Sequence, residues 1–233
     1  MDNNSIQKIF QLNDMDKYFS IFQKNKKVQI QNILHEVFAE QLFKFIFFEK
    51  NWILSTGFNA IKYEKPTKKQ FEKINLQQIK KIQNKFREDQ FSYTFHRSMN
   101  NNQTSHFLEY IIRKCMSSQE FIDYLNKITD LNLTSLNTLF LSKYKSGHFL
   151  SPHSDKDNGK LAFILNLSKF WKPQYGGILH FLDKDRHEII ESFVPSFNNL
   201  ILFEVPKEGI PHFVSHVSPS IKHNRYAITG WYS

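Results

Sequence analysis

The chain has 233 residues, enough for one well-buried core, and its 24 Phe supply ample apolar volume for it. A single cysteine, Cys115, excludes an internal disulfide and favours a reducing compartment. The longest apolar cluster, Leu42 to Phe48, is interrupted by Lys44 and is too short to span a bilayer. The net charge of +9 invites a nucleic-acid or ribosome partner, but the abundance of Lys, Asn, Ile and Phe is also what an AT-rich genome yields, and the compositional reading is preferred.

In chain order, Met1 to Lys8 lack a cationic start followed by an apolar run, so no signal peptide is expected and a cytoplasmic location follows, with the nucleus open. A short helix is predicted around Asp14–Gln23, then a short strand at Val28-Gln29-Ile30. Asn32 is a candidate cap for a helix from Ile33 to about Phe48, with Ile33, Leu34, Val37, Phe38, Gln41, Leu42 and Phe45 on its inner face. Trp52-Ile53-Leu54 reads as a strand closed by a turn at Gly57. Pro66-Thr67 opens a second helical region in which Ile74, Leu76, Ile79, Ile82 and Phe86 recur among lysines; its basic face is read as solvated rather than as a docking surface. Phe91–Phe95 alternates as a strand, and Ser118 caps a helix near Phe121–Ile128.

From Leu136 the texture changes to strands. Leu139–Tyr144, Leu161–Leu167, Ile178–Leu182, Glu188–Phe193, Leu200–Val205, His212–Val217 and Arg225–Tyr232 are punctuated by Gly, Pro, Asn and Asp, the pattern of a barrel or double-sheet jelly roll. The expected fold class is therefore α+β: a jelly-roll core over residues 136–233 with supporting helices in residues 1–135. No repeat or flexible linker divides the chain, so residues 1–233 are read as one domain.

A strand-like segment leads into His153-Ser154-Asp155, whose alternate side chains reach one face and can hold one ion together. Two imidazoles and one carboxylate with positions left open form the facial triad of non-heme Fe(II) oxygenases. For the third ligand the residues themselves leave His212 and His216 in competition, with His212 preferred at the start of its strand beside Pro211. A buried Arg225 needs a carboxylate, either Glu204 or the distal carboxylate of a dicarboxylate co-substrate, and Tyr144 and Thr229 can add hydroxyl hydrogen bonds to the latter.

Five motifs carry a resemblance. They are Tyr144-x-x-Gly147 before His153-x-Asp155; Trp171-x-x-x-Tyr175-Gly176-Gly177-Ile178-Leu179; Asn199-Leu200-Ile201-Leu202-Phe203; Pro211-His212-x-Val214-x-x-Val217; and Arg225-Tyr226-Ala227-Ile228-Thr229-Gly230-Trp231. From about Leu139 to Ser233, some two fifths of the chain, this resembles the 2-oxoglutarate- and Fe(II)-dependent prolyl hydroxylase superfamily, close to its hypoxia-type and ribosomal-protein groups. The resemblance implies a double-stranded β-helix with Fe(II) on His153, Asp155 and His212. It implies that Arg225, helped by Tyr144, binds the 5-carboxylate of 2-oxoglutarate, and that Gly176-Gly177 forms a tight turn.

Where the family often places a tyrosine that contacts the co-substrate, this chain has Asn166, which keeps a donor in a roomier pocket. The longer interval between His212 and Arg225 implies an enlarged loop. Trp171, Phe163, Phe181 and Trp231 are candidate pocket walls.

The expected cofactors are Fe(II), 2-oxoglutarate and O2, with ascorbate as an optional reductant. The expected reaction is hydroxylation of an amino-acid side chain, foremost proline in a protein or peptide, with release of succinate and CO2. An oxygenase acting on nucleic acid, on a free amino acid or on another small molecule, and an inactive jelly-roll binding module, are the rival readings.

Overall fold

The computed structural model describes residues 6–49, 52–58, 76–98 and 107–233. The Ile74 position, the Pro66-Thr67 start and most of the Ser98–Ser105 stretch lie outside them. Five α-helices are described: α1 (Met15–Asn25), α2 (Glu36–Phe48), α3 (Leu76–Arg87), α4 (Phe107–Met116) and α5 (Gln119–Thr129). The strands are β1 (Lys27–Ile30), β2 (Ile53–Phe58), β3 (Ser92–Arg97), β4 (Leu136–Tyr144), β5 (Phe149–His153), β6 (Leu161–Asn166), β7 (Leu179–Leu182), β8 (Ile189–Phe193), β9 (Asn199–Glu204), β10 (His212–Val214) and β11 (Arg225–Tyr232). No described helix is long and apolar enough to cross a membrane.

The strands join antiparallel in the order β1-β9-β6-β11-β4-β3-β5-β10-β7-β8, with β2 added to β3. The path nearly closes on itself. Lys27 of β1, at one end, lies 3.0 Å from the carboxylate of Glu191 in β8, at the other. This is the expected jelly roll, and three strands from the first 135 residues belong to it, so that region supplies sheet as well as helical support.

Strand alternation sends successive side chains to opposite faces. From β9, β6, β11 and β4, residues such as Leu200, Leu202, Phe163, Leu165, Tyr226, Ile228 and Leu141 meet Phe22, Leu42, Ile112 and Phe121 of the helices in one dry core. The alternate residues, including Ile201, Phe203, Ala162, Ile164, Ala227, Phe140 and Tyr144, face the barrel interior with Phe181 and Val214. Phe163 therefore packs on Tyr232 in the helix-backed core and is no pocket wall (ring centroids 5.4 Å apart).

Local expectations hold at Ser118, whose Oγ accepts from the Phe121 N–H at 3.3 Å and caps α5. Others shift. α2 starts at Glu36 rather than Ile33, because Leu34 is pinned elsewhere: its N–H donates to Asn198 Oδ1 at 2.9 Å and its carbonyl accepts from Asn198 Nδ2 at 2.8 Å. Its buried residues are Ala39, Leu42, Phe45 and Ile46. Val37 falls on the outer face and is 71% exposed. Gly57 is no turn: it pairs with Tyr93 inside the β2–β3 ladder. Helix α4 went unread as an element, the strand-like segment leading into His153 is β5, and the strand expected over His212–Val217 stops at Val214.

Candidate metal centre and co-substrate pocket

β5 and β10 pair with His212 directly opposite His153, so the two imidazoles are cross-strand neighbours, with ring centroids 4.3 Å apart. Asp155, two residues beyond His153 in the following loop, turns its carboxylate between them. Its Oδ1 lies 3.5 Å from His153 Nε2 and its Oδ2 3.3 Å from His212 Nε2. One ligand atom from each residue falls within 4.8 Å of the others.

The protonation pattern suits a cation. His153 Nδ1 donates to the Ser151 carbonyl at 3.0 Å, and His212 Nδ1 donates to the Ile210 carbonyl at 2.8 Å. A carbonyl only accepts, so both protons sit on Nδ1 and both Nε2 lone pairs face the centre. Burial, and then the neighbouring His212, lower the pKa of His153 and keep it neutral. Burial alone would raise the pKa of Asp155, yet the two imidazoles set against its oxygens hold it well below the usual carboxylate range. Two imidazoles with Nε2 turned inward and one carboxylate match the donor set of Fe(II). Phe181 and Phe203 back His212, with ring centroids 5.6 and 5.0 Å away, and keep water from that side.

His216 is not part of the cluster. It is exposed beyond the end of β10 and stacks on Phe149 at 4.2 Å.

The second half of the site lies on β11 and β4, where Arg225 is in register with Tyr144. The guanidinium sits 4.8 Å from the centre of the Tyr144 ring. Arg225 is 2% exposed, and among the described residues its Nε has no hydrogen-bond partner. Glu204 does not neutralise it; that carboxylate points to Lys26, 3.9 Å away. Burial lowers the pKa of Arg225 against the support of Tyr144. The Tyr144 hydroxyl is pushed up to about 12 by burial, with Arg225 pulling the other way, and stays a donor.

Asn166 is fully buried, and neither its Oδ1 nor its Nδ2 has a partner among the described residues. It pairs with Ala227, two residues along β11 from Arg225, and shares the interior face. Buried polar atoms are normally satisfied. A cation without a carboxylate and an amide without partners, in one chamber, fit the carboxylate of 2-oxoglutarate. Gly177 makes room for this arrangement: at φ +63° it adopts a left-handed backbone, and a Cβ there would lie 3.1 Å from Arg225 Cδ and 3.3 Å from the Trp171 ring. Thr229 shares the same face two alternate positions further along β11.

One contact of the site comes only from the tertiary structure. Phe91, Tyr93 and Phe95 form a ladder along β3, and the Phe91 ring lies 5.6 Å from that of His153. Their alternation was visible in the sequence; their neighbour was not. Lys160, beside the metal motif, donates to the Asn132 carbonyl at 2.8 Å, whereas Lys156 is exposed.

Comparison with known proteins agrees with this geometry. Residues 139–233 match the 2OG-Fe(II) oxygenase superfamily. Mouse prolyl 3-hydroxylase OGFOD1 is 34% identical over 126 residues, covering 52% of this chain and 23% of the mouse protein. Prolyl 3,4-dihydroxylase OGFOD1 of Ostreococcus tauri is 34% identical over 98 residues, 38% of this chain and 19% of that protein. The chain thus spans less than a quarter of the length of these curated relatives. In fold it is similar to the crystal structure of a Pseudomonas putida prolyl-4-hydroxylase, with a TM-score of 0.61, 16% identity, and coverage of 94% of this chain and 97% of that one. A Trichoplax adhaerens prolyl hydroxylase, solved with a hypoxia inducible factor peptide fragment, gives a TM-score of 0.60 at 16% identity, covering 94% and 88%. The segment that carries the His-x-Asp motif, the distal histidine and the buried arginine is thus the one, residues 139–233, that is similar to the 2OG-Fe(II) oxygenase superfamily.

Proposed function

We propose that this protein is a 2-oxoglutarate- and Fe(II)-dependent dioxygenase that hydroxylates a prolyl residue of a protein or peptide. The observation that carries the chemistry is the pairing of the His153–Asp155–His212 donor set with a buried Arg225, without a carboxylate partner among the described residues, in the same barrel. The prolyl substrate is supported by the prolyl hydroxylases among its relatives.

In this reading His153, Asp155 and His212 hold the metal, and Arg225 with Tyr144 takes the distal carboxylate of 2-oxoglutarate, a planar fork matched to a planar anion. Asn166 donates from Nδ2 to the same co-substrate and so satisfies an amide otherwise buried without partners. Fe(II) and 2-oxoglutarate, when bound with O2, supply an oxidant able to hydroxylate an unactivated C–H bond, with succinate and CO2 as by-products. The chain itself contributes fixed tautomers, an ionised carboxylate and a dry wall. The Ser151 and Ile210 carbonyls orient the two imidazoles, and Phe181 and Phe203 exclude water behind them. The buried, unpaired thiol of Cys115 accords with a reducing, cytoplasmic setting.

The test is an anaerobic titration of the metal-free protein with Fe(II) and then 2-oxoglutarate, followed by aerobic incubation with proline-containing peptides and mass spectrometry. A visible charge-transfer band, then peptide heavier by one oxygen atom, is expected. Folded, iron-loaded protein without a band would overturn the co-substrate assignment; a band with oxygen added only to non-prolyl substrates would overturn the prolyl one.

A further inference from the structure

A row of rings lines one wall of the barrel interior, and the outer part of it has no role in the assignments above. The Arg225 guanidinium lies on Tyr144 at 4.8 Å. Tyr144 stacks on Phe95, with centroids 5.0 Å apart and planes within 11°. Phe95 lies 5.5 Å from Tyr93, and Tyr93 lies 5.5 Å from Phe91. The last step brings Phe91 to 5.6 Å from the ring of His153. The row therefore runs from the buried cation at one end to a proposed metal ligand at the other.

Burial along the row is graded. Tyr144 and Phe95 are 4% and 9% exposed, while Tyr93 and Phe91 are only half-buried. The apolar faces thus open toward His153. The inner pair is explained as core; the outer pair leaves large aromatic surface partly uncovered beside the proposed reactive centre.

β3 is firmly held there. Its Ser92 N–H donates to Ser151 Oγ at 2.8 Å, which ties it to the strand that carries His153. Phe86, at the end of the preceding helix, packs on Phe149 of that strand at 5.0 Å and on His216 at 4.9 Å. The wall is anchored rather than loose, as a surface must be if it is to position a reacting group.

We propose that Phe91 and Tyr93 are specificity-determining residues that receive the substrate residue and select proline by packing their faces against its ring. The inference rests on the prolyl hydroxylation proposed above. Proline has no backbone N–H, so seating it on an apolar wall buries no unpaired donor, whereas any other residue would leave one. Its fixed φ predisposes the flanking peptide to an extended polyproline-type course, which aromatic-lined grooves recognise at low entropic cost. Its ring C–H groups beside the amide nitrogen are polarised and pack favourably on the electron-rich face of an aromatic ring.

The experiment uses the protein loaded with Zn(II) and 2-oxoglutarate, so that nothing turns over. Saturation-transfer NMR then compares a pool of short acetylated peptides with a central proline against a matched pool with a central alanine. Wild type should transfer saturation to the proline ring protons and far less to the alanine pool. Phe91→Ala and Tyr93→Ala should each weaken binding of the proline pool about tenfold, the loss expected for an aromatic packing partner. Both should keep the Fe(II)–2-oxoglutarate absorption band and the circular dichroism of the folded chain.

Tyr93→Phe should bind as wild type does, because the ring face and not the hydroxyl forms the wall. Phe170→Ala, at an 82% exposed aromatic outside the site, serves as the control. If Phe91→Ala fails to fold, Phe91→Leu keeps the bulk without the π face and should still lose the preference for proline over alanine. Variants that bind the proline pool like wild type, or a wild type that binds both pools equally, would overturn the inference while leaving prolyl hydroxylation standing. A wild type that binds neither pool and yields no hydroxylated proline would overturn both.

Discussion

Strand β11 serves two regions that differ in one respect. On its outer face Tyr226, Ile228 and Tyr232 join the helix-backed core, where the polar groups on and beside this strand find partners: Tyr232 Oη donates to the Met116 carbonyl at 2.7 Å, and Ser168 Oγ accepts from the Tyr226 N–H at 2.8 Å. On the inner face are Arg225, Ala227, Thr229 and Trp231. There Arg225 Nε, Trp231 Nε1 and both polar atoms of Asn166 are buried without partners among the described residues. On one side the strand's polar groups are satisfied within the chain. The other holds polar groups that a ligand can satisfy, and violations of this kind concentrate at functional sites.

Substitutions on the two faces should therefore behave oppositely. The largest effect falls on the inner face: His212→Ala should abolish metal-dependent succinate formation and the anaerobic absorption band with the fold intact by circular dichroism. His216→Ala should keep most of both, because its ring stacks on Phe149 away from the cluster. On the outer face the loss is of stability. Phe121→Ala, at a fully buried ring, should cost about 3–5 kcal/mol in urea unfolding.

Arg225→Met sharpens the contrast most, because it should raise the stability of the ligand-free protein, by about 1–3 kcal/mol, while removing 2-oxoglutarate binding. In the wild type, metal plus 2-oxoglutarate at about a hundred times its Kd should add about 2.7 kcal/mol, seen as a shift in thermal melting that Arg225→Met lacks. A destabilised Arg225→Met would mean that the guanidinium is compensated within the chain, and the two faces would then be alike.

The smallest effect concerns His96 and His148, stacked 5.1 Å apart. Burial and then His148 push His96 down to about 3, and burial and then Lys145 push His148 down to about 4. Their folded-state values lie below the unfolded histidine value of about 6.5, so the unfolded chain takes up these protons first as pH falls. Stability from this pair is fully present above about pH 6.5 and is lost as pH drops toward 4. Melting temperatures at neutral and mildly acidic pH should diverge less in His96→Phe than in wild type.

Much of the site was legible because its parts are local. His153-x-Asp155 is a two-residue interval at a strand end, and Arg225 opens an alternating strand, so residue type and period suffice to suspect a metal and a carboxylate. The residues alone favoured His212 only weakly over His216; the family motif separated them, and the cross-strand register of His212 with His153 gives the physical ground. The pairing of Arg225 with Tyr144 rather than Glu204 could not be read locally either, because it depends on which strands become neighbours.

The sequence by itself determined the α+β class, the strand-rich C-terminal half and the chemical types in the site, since alternation, caps and turn residues act over a few positions. Only the tertiary structure decided where α2 begins, through an asparagine 164 residues away from Leu34. It also sent Phe163 to the helix-backed core, exposed Val37 and carried Phe91 to His153 across the β3–β5 pairing. Those outcomes turn on which faces meet at long range, and periodicity fixes a face without naming what will cover it.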